Sequence, residues 1–406
     1  MTASVEARDR ITAPVLDMDP YSVENITSPY AFQTALRDIG PVAFIPKHGV
    51  YAVGRHAECT EVFKDHERFS AKAGIGIQDI RKPGDFRVPN RMLENDPPSS
   101  TAIRGVVTKY LSPIVIRRWK EHFEKLATPF AEEIVARGSI DGVEDLAEAW
   151  ILKVFPQAVG IDMPREQILA IGEMRFNQSG PPNELYRKAM ERAKPHIEWF
   201  EHSVTREAAK PGSIAESLFE AEERGEFPEP GLASNMVRSL IGGGSDSTIA
   251  ALGHTLHYLA RDPAQWDLLR EDANGRAKLA FEEAIRMEPA FMVTYRTTTG
   301  PVELSGVSLD GDTKIGIFMG AGNRDPRKFE DPDRYDLMRN STGVHVGFGQ
   351  GAHTCIGQMI ARIEAEAILK ALSKLVSRIE LDGEARYRPI NQMRMLDILP
   401  LRFTSA

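Results

Sequence analysis

Residues 348–362, with the sequence FGQGAHTCIGQMIAR, place one cysteine between a group of glycines and the start of a helical pattern. Glycine clusters favour loops, and the apolar residues after Ile356 recur at helical spacing, so the segment predicts a loop that leads into a helix. Cys355 then lies at the N-terminus of that helix, where unpaired backbone N–H groups and the positive end of the helix dipole favour the thiolate. The sulfur can therefore act as a nucleophile or bind a metal.

The residues around Cys355 are suited to a large, flat, anionic ligand. Gly349, Gly351 and Gly357 carry no side chain, so the backbone can approach such a ligand closely, and His353 can donate a hydrogen bond to an anion. A haem with its carboxylates fits this description. One alternative is a small buried core cysteine. Another is a Cys/His hydrolase, which is disfavoured because residues two apart rarely orient as nucleophile and base without a third group.

The periodicity of the rest of the chain predicts a mainly helical fold with a small sheet. Residues 41–53 predict a short hairpin that turns at 47–49. Helical windows begin at Pro113 and continue at 146–159, 184–208, 232–260, 264–271 and 276–287. The C-terminal third shows short strands and loops before a helix that begins near Ile356. Since there is no repeat or long linker, we expect residues 1–406 to form one domain, with residues 1–20 as an extended or partly ordered tail.

Charge and cysteine content exclude several classes of protein. Lys and Arg number 50 against 58 Asp and Glu, a net charge of -8, so there is no excess of positive charge to bind nucleic acid. Cys59 and Cys355 are too few for a disulfide framework, an iron–sulfur cluster or a Cys-rich zinc site. The first residues lack the apolar core of a signal peptide, and no stretch approaches the ~20 apolar residues of a membrane span. We therefore expect a cytoplasmic protein that binds neither nucleic acid nor a membrane.

The fixed positions of the cysteine loop, F-x-x-G-x-H-x-C-x-G, run from Phe348 to Gly357. This pattern resembles the cysteine-ligand loop of the cytochrome P450 superfamily at every one of those positions, and the resemblance extends over most of the chain. It implies a single triangular domain, mainly α with a small β region, in which haem b (iron protoporphyrin IX) is bound through its iron to Cys355. The other residues that the resemblance places at the cofactor are His353, Arg296, Arg104, Phe348, Gly349, Gly357 and Gly243.

A second motif precedes the cysteine. Glu283 and Arg286 lie three apart in a helical window, where an acidic residue N-terminal to a basic one pairs favourably. Such a pair alone is an ordinary surface interaction. Its distance from the cysteine, and the residues between 322 and 336, resemble the Glu-Arg-Arg triad of the family. That resemblance implies a structural triad of Glu283, Arg286 and Arg334 that locks the cysteine loop.

The helical window that begins at Ser239 contains three consecutive glycines, at 242–244. Each costs roughly 1 kcal/mol relative to alanine inside a helix, so we expect either a close approach of the backbone to a ligand or a local widening of the helix. The alternative is a kink without chemistry. Asp246, Ser247 and Thr248 follow, an acid beside two hydroxyls that can relay protons into a buried site. The segment resembles the distal motif A/G-G-x-D/E-T of the family, which implies that these three residues are catalytic.

Two positions depart from the family pattern. Ser247 replaces the usual threonine, so the hydroxyl remains but the methyl group that fixes its rotamer is absent. Ser100 replaces a histidine in residues 95–107, which resemble the stretch D-P-P-x-H-x-x-x-R. Arg104, Arg296 and His353 then remain for the haem carboxylates. We expect proton delivery to work, with looser coupling of oxygen use to product.

The resemblance implies a monooxygenase that consumes O2 and two electrons. We expect the electrons to come from NAD(P)H through a 2Fe-2S ferredoxin and its reductase, because the chain has no fused flavin or iron–sulfur region. A basic docking face on the cysteine side is predicted at Lys109, Arg117, Arg118 and Lys120, although these residues can equally be solvated helix charges. We expect a monomer.

Residues 86–93 and 236–244 resemble segments of bacterial relatives that oxidise para-methoxybenzoates. The resemblance implies that Arg87, Asn90 and Ser239 bind the carboxylate, with charge added by Arg238. Apolar walls around the ring are expected from Phe176, Leu93, Phe291 and Val293. Asn90 and Ser179 differ from the serine and phenylalanine of those relatives, which favours a bulkier or meta-substituted ring. The predicted reaction is O-demethylation of a para-alkoxybenzoate. The alternatives are a terpene or fatty acid substrate, and a non-catalytic haem sensor.

Overall fold

Helices make up most of the chain, as the periodicity predicts. The computed structural model describes residues 12–82 and 89–406. Its α-helices are α1 (Val23–Thr27), α2 (Tyr30–Ile39), α3 (His56–Lys64), α4 (Ser99–Tyr110), α5 (Pro113–Ala136), α6 (Ala149–Val159), α7 (Arg165–Gln178), α8 (Glu184–Ala193), α9 (Ile197–His202), α10 (Ile214–Glu223), α11 (Leu232–Arg261), α12 (Pro263–Glu271), α13 (Ala273–Met287), α14 (Met319–Asn323) and α15 (Gln358–Leu375). A π-helix at Gly142–Glu148 leads into α6, and 3₁₀ turns lie at Lys194–His196, Leu337–Arg339 and Gly351–His353.

The predicted helical windows agree with these bounds except in one region. α5 begins at Pro113, where the missing N–H of proline costs no helical hydrogen bond. The predicted continuous helix over 184–208 is wrong, because α8 ends at Ala193 and α9 ends at His202. Pro195 lies in the 3₁₀ turn between them and cannot donate a backbone hydrogen bond. α7 was not predicted, because residues on most of its sides are buried and its sequence lacks a clear apolar stripe.

The strands are short and form small sheets. They are β1 (Ala43–Ile45), β2 (Val50–Val53), β3 (Phe69–Ser70), β4 (Ser139–Asp141), β5 (Val293–Thr298), β6 (Val302–Leu304), β7 (Val307–Leu309), β8 (Lys314–Phe318), β9 (Val376–Leu381), β10 (Arg386–Pro389), β11 (Arg394–Ile398) and β12 (Pro400–Ser405). The predicted hairpin is present as β1 and β2, with Ala43 opposite Ala52. It belongs to a five-stranded sheet of order β1-β2-β8-β5-β3, in which β2 and β8 run parallel with Tyr51 opposite Ile315.

α11 is the central element of the helical part of the fold. It has 30 residues, which corresponds to about 45 Å at the rise of an α-helix. Most of its second half is buried, and it packs against α6, α7, α10 and α13. α15 packs against α5 and α13. The loop that carries Cys355 precedes α15, and residues of this loop and of the middle of α11 line one cavity.

Candidate functional site

The cysteine loop has the predicted form, a glycine-rich turn that leads into α15. The N–H of Cys355 donates to the carbonyl of Phe348 at 2.8 Å. Gly349 and Gly351 have φ values of +67° and +70°, which strain any residue with a side chain. A Cβ atom at Gly351 would also lie 2.8 Å from the carbonyl oxygen of Phe63, at the end of α3. The glycine at 351 is therefore required by contact with α3, whereas the sequence suggested contact with a ligand.

Burial raises the pKa of the Cys355 thiol. The N–H groups of Gly357 and Gln358 at the start of α15 and the charges of Arg104 and Arg362 act in the opposite direction. The prediction of a lowered pKa is therefore wrong for the free thiol, because desolvation outweighs the helix terminus. Coordination to a metal deprotonates a thiol outright. The same four groups are placed to support a thiolate ligand.

Contacts between the side chains of α13 and the residues that flank the cysteine loop hold the loop in place. Glu282 on α13 is fully buried and binds the side chains of His345 and Arg362, which flank the loop. The Nε2 of His345 lies 2.9 Å from this carboxylate, and its Nδ1 accepts from the N–H of Gly347 at 3.1 Å. The guanidinium of Arg362 lies 4.9 Å from the ring centroid of Phe348. Packing and charge together hold the loop against α13.

The predicted triad is corrected at one position. Glu283 and Arg286 are buried and form a two-contact ion pair, at 2.9 and 2.8 Å. The second guanidinium at Glu283 belongs to Arg339, whose Nε lies 3.0 Å from the carboxylate. Arg334 is exposed and contributes only its carbonyl, which accepts from Arg286 at 3.1 Å. Both arginines follow Pro332 in an irregular segment, so the sequence offered no periodicity to choose between them.

A cavity of about 1400 Å³, counting its open mouth, lies between the cysteine loop and α11. Cys355, Phe348 and Gly357 line it on one side, and Gly243 and Ala251 line it on the other. A Cβ atom at Gly243 would meet no atom within 4 Å, which shows that this face of α11 borders open space. The cavity wall is mainly apolar, and a thiol stands on the side opposite the helix. These lining residues suit a haem, which the sulfur of Cys355 would hold through its iron.

Donor groups gather beside the same cavity. Arg296 is 3% exposed, donates to the carbonyl of Tyr295 at 2.7 Å and forms no ion pair with any carboxylate in the described part of the chain. Burial lowers its pKa to about 10. Burial, with the charges of Arg296 and Arg104 acting in the same direction and that of Asp96 in the opposite one, lowers the pKa of His353 to about 4. The Nε2 of His353 has no partner among residues 12–82 and 89–406. Haem carboxylates supply the anions that such a group of donors lacks.

Ser100, the residue in place of the family histidine, is also buried beside this region. Its hydroxyl has no hydrogen-bond partner within the described residues. Arg104 follows it on α4 and is half-buried, which lowers its pKa. Arg104 does not itself line the cavity. The serine therefore leaves a shorter polar group where the family has an imidazole, and Arg104, Arg296 and His353 remain as donors.

The three consecutive glycines of α11, at 242–244, have different surroundings, which explain the absence of a side chain at each position. A Cβ atom at Gly242 would lie 2.7 Å from the side chain of Arg175 on α7, and one at Gly244 would lie 2.4 Å from the ring of Phe155 on α6. Gly243 borders the cavity. α11 is an α-helix through all three positions, so of the two expected explanations the local widening of the helix is not observed. Two glycines permit close helix packing, and the third keeps the distal wall of the cavity open.

Asp246 points from α11 towards α7. A Cβ atom at Gly172 would lie 1.6 Å from its carboxylate, so only glycine at 172 leaves room for this side chain. Burial raises the pKa of Asp246 to about 7, with the charge of Arg388 acting in the opposite direction. Its Oδ1 has no hydrogen-bond partner in the part of the chain that the structure describes. Near neutral pH the carboxyl group is therefore able both to donate and to accept a proton.

The two hydroxyls that follow Asp246 line the cavity. Ser247 donates to the carbonyl of Gly243 at 2.6 Å, and Thr248 donates to the carbonyl of Gly244 at 2.7 Å. Each hydroxyl satisfies a helix carbonyl and keeps lone pairs that can accept a hydrogen bond. Asp246 does not line the cavity, so the acid and the hydroxyls lie on different faces of α11. A proton can pass between them only if Asp246 turns or if water connects them.

A second cavity of about 1360 Å³, counting the open space at its mouth, adjoins the first. Both are lined by Ile75, Leu93, Ser239, Gly243 and Phe291. We call the cavity at Cys355 the inner cavity and this second one the outer cavity. The outer cavity is also lined by Asn90, Arg238 and Phe176, so six of the eight residues predicted to bind substrate are brought together. The rings of Phe176 and Phe291 meet edge to face, with their centroids 5.0 Å apart.

Some of the polar groups that line the outer cavity form hydrogen bonds within the protein. The Nδ2 of Asn90 donates to the hydroxyl of Ser239 at 2.5 Å, and its Oδ1 accepts from the N–H groups of Met92 and Leu93. Arg238 donates to the carbonyl of Glu201 at 3.2 Å, and burial lowers its pKa. Arg238 has no carboxylate partner among the residues described. An acid can therefore bind beside Ser239 without displacing an ion pair of Arg238.

Two of the eight residues predicted to bind substrate are not among those found to line the cavities. Arg87 lies outside the described residues. Val293 is 2% exposed and packs on the other face of β5 with Tyr295, so its prediction as a wall residue is wrong. Side chains alternate along a strand, and Thr294 and Arg296 line the cavity instead. Arg296 is predicted from the sequence to lie at the cofactor. The alternation of β5 could therefore have identified Thr294, two residues earlier, as a residue that lines the cavity.

Three further residues of these cavities escaped the sequence analysis. Arg175 and Glu94 line the outer cavity, and the carboxylate of Glu94 accepts from the N–H of Asn90 at 2.9 Å. Glu364 lines the inner cavity from α15, where it is fully buried. Neither of its oxygens has a partner among the described residues, and burial raises its pKa well above the ordinary value. A glutamate in an amphipathic helix normally indicates a solvated face, so no sequence signal revealed this burial.

The burial of Glu364 makes stability depend on pH. A carboxyl group whose pKa is raised in the folded state contributes stability at acidic pH, and this contribution is lost as the pH rises through the raised pKa. An uncompensated buried polar group costs about 1–3 kcal/mol, so Glu364→Gln should raise the midpoint of thermal unfolding by a few degrees at pH 8. The gain should shrink at pH 5. Glu366→Gln is the matched control, because Glu366 pairs with Lys120 at 3.0 Å and its loss should give no gain. A Glu364→Gln protein less stable than the parent at both pH values contradicts the prediction.

The predicted docking face is only partly free. Lys109 pairs with Glu226 at 2.9 Å, and Lys120 pairs with Glu366 at 3.0 Å. Arg118 donates to the carbonyl of Gly212 at 2.6 Å. Arg117 is exposed and makes no ion pair with the described residues. Two of the four charges are therefore neutralised within the chain.

Across residues 12–82 and 89–406, every helix is too short or too polar to cross a lipid bilayer.

Known proteins resemble the chain over nearly its full length. A family model described as Cytochrome P450 matches residues 277–385. A protein of Rhodopseudomonas palustris named cytochrome p450 CYP199A2 is 40% identical over 395 residues, which cover 97% of this chain and 95% of that protein. Linalool 8-monooxygenase of Pseudomonas putida is 28% identical over 376 residues, 88% of this chain and 91% of that protein.

Solved structures share the fold. The structure of a mutant of P450 EryK in complex with erythromycin B has a TM-score of 0.80 at 26% identity and covers 94% of this chain and 98% of its own. Cytochrome P450 CREJ in complex with (4-ethylphenyl) dihydrogen phosphate has a TM-score of 0.85 at 21% identity, with 95% of this chain and 99% of that chain covered. At that identity the likeness concerns the fold alone.

Proposed function

The chain belongs to the cytochrome P450 family, and we propose that it catalyses the oxidative O-demethylation of a para-alkoxybenzoate. As a cytochrome P450 monooxygenase it uses haem b, O2, a small-molecule substrate and external redox partners. With 4-methoxybenzoate, O2, two electrons and two protons would be consumed. The products would be 4-hydroxybenzoate, formaldehyde and water.

The cavity between the cysteine loop and α11 supports the assignment of the cofactor residues. Haem bound through its iron to the Cys355 thiolate supplies the activation of O2, because thiolate ligation favours O–O cleavage. Arg104, Arg296 and His353 would hold its carboxylates by charge-assisted hydrogen bonds. The remaining residues predicted at the cofactor would line its two faces: Phe348, Gly349, Gly357 and Gly243.

Proton supply would begin at Asp246, whose pKa of about 7 suits both uptake and release. Ser247 and Thr248 carry hydroxyls at the cavity wall and would pass protons inwards. Ser247 lacks the methyl group of threonine, but Thr248 provides a branched hydroxyl at the next position. A slower or less coupled proton transfer is therefore expected at Ser247, and the route itself is retained.

The substrate proposal depends on one observation, the position of Ser239 on the wall shared by the two cavities. Arg238 and Asn90 lie on the outer side, away from the cysteine loop, and the inner side is mainly apolar. A carboxylate would bind at Ser239 and Arg238, because a buried anion needs such donors. The ring would lie against Phe291, which lines both cavities and is itself packed against Phe176, with its alkoxy group towards Cys355. Arg87 remains a predicted further donor.

The decisive experiment is a spin-state titration of the purified haem protein with 4-methoxybenzoate and with its neutral analogue 4-methoxytoluene. The acid should give a low-to-high-spin shift. A hydrogen bond to a charged group contributes about 1.5–3 kcal/mol, so the double variant Ser239→Ala/Arg238→Met should bind the acid at least about tenfold more weakly. Binding of the neutral analogue should change little. Absence of a shift with the acid, or equal losses for both compounds, contradicts the proposal.

A neutral substrate is the competing proposal, supported by the mainly apolar inner cavity and by the likeness to an enzyme named linalool 8-monooxygenase. In that case a terpene or fatty acid gives the larger shift and the double variant binds it normally. A non-catalytic haem sensor, the third alternative, is supported if formaldehyde and NAD(P)H oxidation are absent in the presence of redox partners.

For the redox partners we propose a 2Fe-2S ferredoxin and its reductase, with NAD(P)H as the electron source. Arg117 and Arg118 on α5 would provide the exposed positive charge of the docking face. We further propose that the protein is a monomer of the cytoplasm, where a reducing environment prevents either cysteine from forming a disulfide.

A further inference from the structure

A third cavity, of about 1030 Å³ counting the open space at its mouth, shares no lining residue with the two described above. It lies between α2, the C-terminal ends of α11 and α13, and residues 333–335. Four arginines and two aspartates line it, which gives a net charge of +2: Arg37, Arg261, Arg324, Arg334, Asp262 and Asp333. We call it the arginine pocket.

Both aspartates of the arginine pocket are engaged elsewhere. Asp333 binds the Nη1 of Arg324 at 2.7 Å. Arg324 also binds Glu288 at 3.0 Å, so its charge is compensated twice. Asp262 is the N-cap of α12 and accepts from the N–H of Ala264 at 3.1 Å. The other three arginines therefore have no carboxylate of the pocket as a partner.

Arg37 is the most deeply placed of these three. It is 6% exposed, and its guanidinium donates only to neutral acceptors, the carbonyl of Ala321 at 3.1 Å and the hydroxyl of Thr34 at 3.0 Å. Burial lowers its pKa, and the more distant charges of Asp333, Asp325 and Asp38 only partly oppose this effect. A buried cation without an ion pair is costly. An anion in the pocket would remove that cost.

Arg261 and Arg334 are exposed and make no hydrogen bond or ion pair through their side chains with the described residues. Aromatic rings complete the wall, among them Tyr258 and Tyr335, which stack with their centroids 4.9 Å apart. The hydroxyl of Tyr258 donates to Glu288, and that of Tyr335 donates to the carbonyl of Ala280. The hydroxyl donors of these two rings are therefore already used, and the charged donors that remain on the wall are guanidinium groups.

We propose that the arginine pocket binds a small phosphate-bearing anion through Arg37, Arg261 and Arg334. The planar guanidinium fork matches the oxygen geometry of phosphate and can donate two hydrogen bonds at once. The bound anion would join α2, the end of α11 and the segment that leads to Arg339. It would stabilise the fold without entering either cavity of the active site.

The test is a calorimetric titration of the haem-loaded protein with inorganic phosphate, with sodium chloride used to keep ionic strength constant. Thermal unfolding is followed in parallel. Phosphate should bind saturably and raise the unfolding midpoint. The variant Arg261→Ala/Arg334→Ala should bind it at least about tenfold more weakly, because it lacks two of the three guanidinium groups that would donate charge-assisted hydrogen bonds to the anion. The control Arg187→Ala/Arg386→Ala removes the same charge from exposed positions elsewhere and should bind phosphate normally.

Some outcomes would overturn the proposal. Phosphate also stabilises many proteins because it is excluded from their surfaces. That effect does not saturate and would be equal in the parent, the double variant and the control, so this result would contradict the proposal. Citrate binding at least tenfold tighter than phosphate would assign the pocket to polycarboxylates. If the double variant does not fold, the single variants Arg261→Ala and Arg334→Ala replace it, and unchanged affinity in both would reject the site.

Discussion

The variant Cys355→Ser is expected to lose the strongly red-shifted Soret band of the reduced, carbon monoxide-treated protein. A serine hydroxyl is not the soft, electron-donating ligand that a thiolate is. Turnover should fall by more than about 100-fold, the upper range for the loss of a residue that only supports a metal ligand. Both effects follow from the loss of one sulfur atom in a loop whose backbone is otherwise unchanged.

Cys59→Ser is the matched control for this variant. Cys59 is the other cysteine of the chain, fully buried, with its thiol 3.7 Å from the carbonyl of Val53. The control should keep the red-shifted band at full intensity per haem. If the Cys355→Ser protein also kept the band, another residue would be the iron ligand and the assignment of the cysteine loop would be wrong.

The second large effect is expected at Asp246. Loss of a general acid or base lowers turnover by about 10²–10⁴-fold, and Asp246→Asn should show a loss in this range. Asp246 lines neither cavity, so the spin-state shift on substrate binding should be unchanged. The parent should show an ionisation near pH 7 in its pH profile of turnover, and Asp246→Asn should lose it. Single-turnover rates and the ratio of product to NAD(P)H consumed measure these effects.

The raised pKa of Asp246 has a consequence for stability as well. The folded-state pKa of about 7 lies above the ordinary value of 3.8, so the contribution to stability is present below about pH 4 and is lost as the pH rises through 7. Asp246→Asn should therefore unfold at a higher temperature than the parent at pH 8, although it turns over more slowly.

Two further variants test whether turnover depends on the position of the Asp246 carboxylate and whether α11 tolerates a nearby substitution. Gly172→Ala leaves Asp246 in the chain but places a methyl group where the carboxylate lies, so turnover should fall with the acid still present. Ser245→Ala, at a buried neighbouring position on α11, should turn over normally. Turnover of Asp246→Asn within twofold of the parent would show that protons reach the cavity by another route.

The sequence was most informative where chemistry is local. The loop around Cys355, the acid and hydroxyls at 246–248, and the pair of Glu283 and Arg286 could be found because each motif lies within one short segment. Their local geometry follows from glycine, helix spacing and charge. The mainly helical fold was predicted by the same periodicity, and the organisation of residues 1–406 as a single domain stays a prediction.

What could not be predicted depends on contacts between distant segments. Arg334 and Arg339 are residues of the same type a few positions apart. Only the path of the chain after Pro332 decides which of their guanidinium groups reaches Glu283. The burial of Glu364 depends on α15 packing against α5 and α13. Val293 was misplaced for a simpler reason, because the alternation of β5 was not applied to the residues beside Arg296.

The parallel pairing of β2 with β8 has a consequence for biosynthesis. β2 can complete its sheet only after the ribosome has added residues 314–318, so the early hairpin must wait through most of translation with an unpaired edge. Such edges favour aggregation, and sheets that join distant segments form slowly. Arg296 lies in β5 of the same sheet, and Cys355 is added later still. Haem capture is therefore a late event, and a shortage of haem during rapid expression should appear as insoluble protein.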